Sequence, residues 1–143
     1  MAPARRTSYG SFPTTADVGI RASGRTPADL FEALGLGLFA LMTDLRTVRP
    51  TEERRITATA SDVGGLAIAY LSQLILLQQE DGFLARQIHV RPLGDPPTSL
   101  LAVLRGEPYM AGRHPRRVEV KAATMHQLKV DLVAGRARVI VDI

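Results

Sequence analysis

Two aspartates near opposite ends of the chain have the side-chain type and the positions that suit metal binding. Asp17 comes just before an alternating segment, and Asp142 follows the apolar run VIV and precedes Ile143. If the strands next to these aspartates are neighbours, both carboxylates and the main-chain or terminal oxygens of Ile143 could converge. A set of ligands made only of oxygens suits a hard divalent cation such as Mg²⁺, Ca²⁺ or Mn²⁺. A cation also removes the repulsion between two adjacent carboxylates. The alternative is that both are exposed acids at strand ends.

Lys121 is a second candidate because it alternates with apolar residues in the run VEVKA. A lysine on the polar face of a strand is ordinarily solvated. Its ammonium group can instead act as a point charge for a phosphate or for the acid pair. The pattern alone leaves both interpretations open.

Other kinds of catalytic site find little support in the sequence. The chain has no cysteine, which excludes disulfides, thiolate nucleophiles and cysteine-based zinc sites. His89, His114 and His126 lack the spacing of a metal-binding helix, and no serine lies in a glycine-flanked elbow. The run GLGLF lies inside a helical pattern and indicates packing. No catalytic triad and no nucleotide-binding loop are predicted.

The basic character of the chain is compatible with RNA but does not require it. The formal net charge is +4 and the pI is about 10.1, with arginines grouped at residues 5–6, 54–55 and 113–117. Such groups are ordinarily solvated, and aromatic residues amount to only 5%, so a base-stacking platform is not indicated. No apolar run approaches the roughly 20 residues that cross a bilayer. The basic start lacks the apolar centre of a signal peptide, which favours a cytoplasmic protein without membrane contact.

Hydrophobic periodicity predicts the elements that position these residues. Alternation predicts strands at 17–23, 54–60, 86–90, 100–105, 118–122, 127–132 and 136–142, of which the last two form a hairpin. Thr26-Pro27 predicts the start of a helix that runs to about Thr43, and Ser61-Asp62 the start of one that runs to about Gln79. This order indicates an α+β fold with a largely antiparallel sheet and two helices packed on one face. Residues 1–8 are expected to form a flexible basic leader and residues 9–143 a single domain.

The chain resembles the archease family in several blocks, which occur in family order over residues 9–143. The blocks are Thr14-Thr15-Ala16-Asp17-Val18-Gly19-Ile20 followed by Gly24 and Thr26, Leu41-Met42-Thr43-Asp44-Leu45, Asp81-Gly82-Phe83, Gly106-Glu107-Pro108-Tyr109 with His114, Val118-Glu119-Val120-Lys121-Ala122-Ala123-Thr124, and Val141-Asp142-Ile143. Any single block is weak, but the set is specific.

The resemblance implies a two-layer archease-like fold and an accessory protein rather than an enzyme. Archeases assist RtcB-type RNA ligases in tRNA splicing and RNA repair, where they promote guanylylation and multiple turnover. By carry-over, Asp17 and Asp142 are the metal-binding acids, Ile143 supplies a main-chain oxygen, and Lys121 is the sensitive lysine beside them, which contacts a phosphate or the ligase site. The expected cofactor is a divalent ion, Ca²⁺, Mg²⁺ or Mn²⁺. The expected partner is the ligase, with tRNA or other RNA contacted indirectly through it, and the oligomeric state is left open.

Four positions depart from the family pattern. The family histidine and its acidic neighbour are replaced by Thr14 and Pro13, a glutamate of the second helix by Gln73, and the tyrosine of a T-Y-H run by Met125. These changes leave open whether ligase activation is retained, or whether metal affinity or partner differs. Two alternative functions remain: a metal-dependent hydrolase that uses the acid pair, and a basic RNA-binding module that uses the loop at 113–117.

Overall fold

The structure is a computed structural model that describes residues 7–14 and 17–143. Within these residues the elements are β1 (Thr7–Pro13), β2 (Val18–Gly24), α1 (Pro27–Met42), a 3-10 turn (Leu45–Thr47), β3 (Glu52–Thr59), α2 (Val63–Asp81), β4 (Phe83–Gly94), β5 (Pro97–Pro108), β6 (Ala122–Asp131) and β7 (Arg136–Asp142). The α+β class predicted from the sequence is confirmed. Thr7 and Ser8, the last two residues of the expected leader, lie in β1, and residues 1–6 lie outside the described ranges.

The strands form two antiparallel sheets rather than one. The four-stranded sheet has the order β1-β2-β7-β6, and the three-stranded sheet has the order β3-β5-β4. Helix α1 packs on β1 and β2 of the first sheet and on β4 of the second, while α2 packs on β6, β3 and β5. Both helices therefore join the two sheets, and the apolar core lies between these layers.

Helix α1 begins and packs as its sequence predicts. The side chain of Thr26 accepts a hydrogen bond from the main-chain N of Asp29, and Pro27 occupies the first turn. A Cβ atom at Gly37 would lie 2.8 Å from Cγ2 of Ile20 in β2, and one at Gly35 would contact the ring hydroxyl of Tyr70. The two glycines thus allow α1 to approach β2 and α2 closely, as predicted.

The predicted strand at 118–122 is wrong for all but its last residue. The main-chain N–H groups of Arg117 and Val118 donate to the carbonyls of Met42 and Leu41, at 3.0 and 2.9 Å. The segment therefore satisfies the free carbonyls at the C-terminal end of α1 instead of pairing with a strand. Strand β6 starts at Ala122 and continues through a register shift to residue 131, so it also includes most of the strand predicted at 127–132.

Neither helix in the described part of the chain combines the length and the apolar character needed to cross a membrane.

Candidate functional site

The two aspartates lie next to paired residues at one end of the four-stranded sheet. Strand β7 lies between β2 and β6, and Val18 of β2 is opposite Val141 of β7. This register, extended by one residue, puts Asp17 opposite Asp142. On the other side of β7, Ala122 is opposite Asp142, and the main-chain N of Lys121 donates to the main-chain O of Asp142 at 2.8 Å. Strands β2 and β7 are therefore neighbours, which is the condition on which the predicted convergence depends.

Two hydrogen bonds with Thr14 hold Asp17 just before β2. The main-chain N of Asp17 donates to Oγ1 of Thr14 at 3.0 Å, and the main-chain N of Thr14 donates to the carbonyl of Asp17 at 3.1 Å. Thr14 stands where the family pattern has histidine, and its hydroxyl group orders the main chain at this position. Thr15 and Ala16, which belong to the same sequence block, lie outside the described residues.

The charged groups at this sheet end are accessible. Asp17 is half-buried, whereas Lys121, Asp142 and Ile143 are exposed. Across the described ranges, no ion pair within 4.0 Å involves either aspartate or Lys121. Val18 and Val141 are directly opposite residues, whose Cβ atoms lie about 4.5–5.5 Å apart in paired strands, and each aspartate is the next residue along the chain.

The donor set fits a hard cation with open coordination positions. Residues 7–14 and 17–143 contain no cluster of three His, Cys, Asp or Glu side chains that could hold a metal. The protein would contribute the carboxylates of Asp17 and Asp142 and a main-chain oxygen of Ile143. Magnesium, calcium and manganese accept such oxygen-only sets and complete them with water or with a partner's oxygens, whereas structural zinc requires four protein ligands.

A buried carboxylate anchors the loop that leads to Lys121. Oε2 of Glu107 accepts hydrogen bonds from the main-chain N of Arg49 at 2.8 Å and from Nε2 of His114 at 2.9 Å. Oε1 accepts a third from the Arg113 guanidinium at 2.8 Å. Glu107 and His114 are 6% and 3% exposed. This Glu107 cluster ties the end of β5 to the segment after the 3-10 turn and to the loop at 109–121.

The bonding pattern of the Glu107 cluster sets the tautomer of His114. Nδ1 of His114 accepts from the main-chain N of Met110 at 2.9 Å, so the ring hydrogen lies on Nε2 and is donated to Glu107. Burial raises the pKa of the Glu107 carboxyl, but the bonds from Arg49 and His114 and the charge of Arg113 outweigh burial, and the net pKa lies below the ordinary value of 4.5.

The arginines of the loop at 113–117 are engaged within the protein. Arg113 is bonded to Glu107, and the Arg116 guanidinium lies 4.5 Å from the ring centroid of Tyr109. Arg117 donates to the Thr43 carbonyl at 3.4 Å and lies 4.0 Å from Asp44. Arg113 is therefore part of the Glu107 cluster, whereas Arg116 and Arg117 remain exposed.

The remaining departures from the family pattern lie at the surface. Gln73 is an exposed residue of α2. Met125 is 65% exposed and lies in the part of β6 where the pairing with β7 is interrupted. His126, the next residue, is exposed as well.

Comparison with known proteins gives a consistent result over nearly the whole chain. The model of the archease protein family matches residues 9–143. A protein archease from Methanopyrus kandleri is 38% identical over 132 residues, which cover 90% of this chain and 94% of the relative. One from Methanosarcina mazei is 31% identical over 145 residues and covers 99% of both chains.

Two solved structures share the fold. The solution structure of protein 1598 from Methanobacterium thermoautotrophicum has a TM-score of 0.74 at 30% identity and covers 96% of this chain and 99% of that one. The crystal structure of a Thermotoga maritima archease, described as a possible chaperone, has a TM-score of 0.59 over 92% of this chain and 94% of that one. The latter is only 19% identical and supports the fold alone.

Proposed function

The chain belongs to the archease family, and from that membership we propose that it is an accessory protein that activates an RtcB-type RNA ligase in tRNA splicing or RNA repair. The observation that supports the proposal is the pairing of β2 with β7, in which Val18 and Val141, the neighbours of Asp17 and Asp142, are opposite each other. The accessible acids and Lys121 all lie at one end of one sheet, where a partner protein can reach them.

Each residue of this sheet end has a separate role in the proposal. Asp17, Asp142 and a main-chain oxygen of Ile143 bind one divalent cation, and Lys121 holds a positive charge beside them. When bound, such a cation supplies charge that stabilises phosphate oxygens. Lys121 attracts the phosphates of the nucleotide or RNA at the ligase site. The hydrogen bond from Asp17 to Thr14 holds the backbone at Asp17, and the Glu107 cluster holds the loop that leads to Lys121.

Guanylylation of the matched ligase tests the proposal. The ligase is assayed with GTP and Mn²⁺ or Mg²⁺ under multiple turnover, in the absence of RNA, with and without this chain. We expect the chain to accelerate guanylylation, and Asp142→Asn and Lys121→Gln to remove most of the acceleration. Asp95→Asn and Lys129→Gln are matched controls, because Asp95 lies in the exposed turn between β4 and β5 and Lys129 lies away from the acid end of β6. Equal rates with and without the wild-type chain at every concentration would reject ligase activation.

Metal binding is measured separately by calorimetric titration of the free chain with Mn²⁺, Ca²⁺ and Mg²⁺. We expect Asp142→Asn to abolish binding, Asp95→Asn to leave it unchanged, and Lys121→Gln to retain it while failing to activate the ligase. If Lys121→Gln lost both properties equally, its separate role would be wrong. RNA or phosphoester cleavage by the chain alone, abolished by Asp142→Ala, would instead favour the hydrolase alternative.

A further inference from the structure

The outward face of the four-stranded sheet carries three cations in one row. Arg21 of β2 is directly opposite Arg138 of β7, and Arg138 is directly opposite Lys129 of β6. Ile20 and Ala22, which flank Arg21, belong to the buried core, so Arg21 points to the opposite, outward side. The same alternation along β7 puts Arg138 outward between the buried residues Ala137 and Val139. We call Arg21, Arg138, Lys129 and the neighbouring Arg136 the basic face.

The basic face is not neutralised by the protein. In the described part of the chain, none of its four cations takes part in an ion pair within 4.0 Å, and the residues outside that part, 1–6 and 15–16, include no acidic side chain. Asp131 is opposite Arg136, but its Oδ1 accepts from the main-chain N of Ala134. The guanidinium of Arg21 lies 4.7 Å from the centroid of the Phe12 ring, which holds its charge over the sheet.

Like charges directly opposite one another on paired strands destabilise a sheet. Three such residues side by side therefore repel one another, and Arg138 Nε donates only to a neutral group, the Gln127 carbonyl, at 3.3 Å. Cations spaced about 4.8 Å from strand to strand form a surface that matches a polyanion. A concavity of about 320 Å³ lies over this row and is lined by Arg21, Lys129, Asp131, Ala134, Arg136, Ala137 and Arg138.

We infer that the basic face binds the phosphate backbone of single-stranded RNA directly. The core of a protein–protein interface is typically apolar and depleted in charge. Here the centre of the face is charged, Ser8 and Ser23 border the row, and Ile140 is buried. Interfaces with nucleic acid are more polar and more basic. The choice of RNA rests on the proposed function. The inference goes beyond it, because activation of a ligase requires no contact between this chain and RNA.

The acid pair lies at the end of the same face. Asp142 is four residues beyond Arg138 on β7, a distance of about 13 Å along the strand. An RNA held by the basic face therefore passes close to the site proposed for metal and phosphate chemistry. The contact is with phosphates and is expected to be independent of base sequence.

Fluorescence anisotropy with a labelled single-stranded RNA of about 16 nucleotides tests the inference. Affinity is measured between about 50 and 200 mM salt for the wild type, Arg138→Gln and the double variant Arg21→Gln/Arg138→Gln. We expect the salt slope to fall by about 1 for the single variant and about 2 for the double variant, and the double variant to bind about tenfold more weakly or worse. The matched controls are Arg91→Gln and Arg86→Gln/Arg91→Gln, exposed arginines of β4 in the other sheet, with expected losses below about twofold.

Three results would overturn the inference. The first is that the wild type does not bind RNA at about 50 mM salt. The second is that the two double variants lose equal amounts of RNA affinity. The third is that Arg21→Gln/Arg138→Gln binds RNA normally but no longer binds the ligase. The last result would assign the face to a protein partner. The guanylylation assay without RNA separates this inference from the proposed function. Arg21→Gln/Arg138→Gln is expected to accelerate guanylylation of the ligase as much as the wild type does. If the wild type failed to accelerate guanylylation, the RNA titration would still test the basic face.

Discussion

Replacing Glu107 by glutamine is expected to destabilise the protein by about 1.5–3 kcal/mol. The carboxylate of Glu107 accepts three hydrogen bonds, from Arg49, Arg113 and His114, and is almost fully buried. The amide oxygen of glutamine can replace Oε2, but its NH₂ group then faces the Arg113 guanidinium, which must turn toward solvent. The charge that strengthens the other two bonds is lost as well. For a chain of this length the change corresponds to a fall in Tm of about 5–10 °C.

Urea denaturation at several pH values measures this effect, with Glu119→Gln as the matched control. Glu119 is exposed in the same loop. Because the pKa of Glu107 lies below 4.5 in the folded protein, its contribution is complete above that pH and is lost as the pH falls further. The stability gap between the wild type and Glu107→Gln is therefore expected to narrow below about pH 4.5. A loss no larger than that of Glu119→Gln, or a gap independent of pH, would refute the role assigned to the Glu107 cluster.

Three further changes test packing and charge. Gly106→Ala is expected to lower the free energy of unfolding by more than about 3 kcal/mol, because its Cβ would overlap the carbonyl oxygen of Leu84. Gly10→Ala is expected to be nearly neutral, because a Cβ there would have no atom within 4 Å, and thermal melts compare the two variants. Tyr70→Phe is expected to leave Tm unchanged or higher, because the buried hydroxyl has no hydrogen-bond partner among the described residues, and a loss above about 1 kcal/mol would contradict this. Arg138→Gln is expected to raise the free energy of unfolding by roughly 0.2–1 kcal/mol at low salt by removing like-charge contacts, and a decrease in urea melts would argue against the basic row.

The sequence predicts those elements whose residues carry a clear period. Both helices and β7 lie close to their predicted bounds, because caps at Thr26 and Asp62 and regular alternation mark them. Strand β1 was not predicted, since TSYGSFP has no apolar alternation. Its strand conformation depends on pairing with β2 and on the packing of Tyr9 against Gly37. Conversely, Val118–Lys121 alternates like a strand, but tertiary bonds to α1 determine its backbone.

The candidate site was only partly accessible from the sequence. Residue type and position pointed to Asp17, Lys121 and Asp142, and the family blocks gave them roles. The structure shows that β2 and β7, next to Asp17 and including Asp142, are paired strands. Glu107 and His114 occur in one family block, but the sequence did not predict that they form a buried cluster. The bond from Arg49 to Glu107 joins residues that are 58 positions apart, so no local pattern connects them.

The basic row was missed for a similar reason. Charge grouping along the sequence draws attention to residues 113–117, where Arg113 is bonded to the buried Glu107 and Arg117 lies near Asp44. Arg21, Lys129 and Arg138 are far apart in sequence and become neighbours only through the register of three strands. Local sequence patterns do not contain that register.

The position of β7 in the middle of its sheet has a consequence for synthesis on the ribosome. The β1–β2 hairpin is synthesised early, but the edge of β2 that pairs with β7 has no partner until β7 follows roughly a hundred residues later. At ordinary elongation rates this interval is on the order of 10 s. An exposed strand edge during that interval invites aggregation or capture by a chaperone. Chains that lack β7 therefore leave β2 and β6 without the strand that lies between them, and the four-stranded sheet cannot form in the order described.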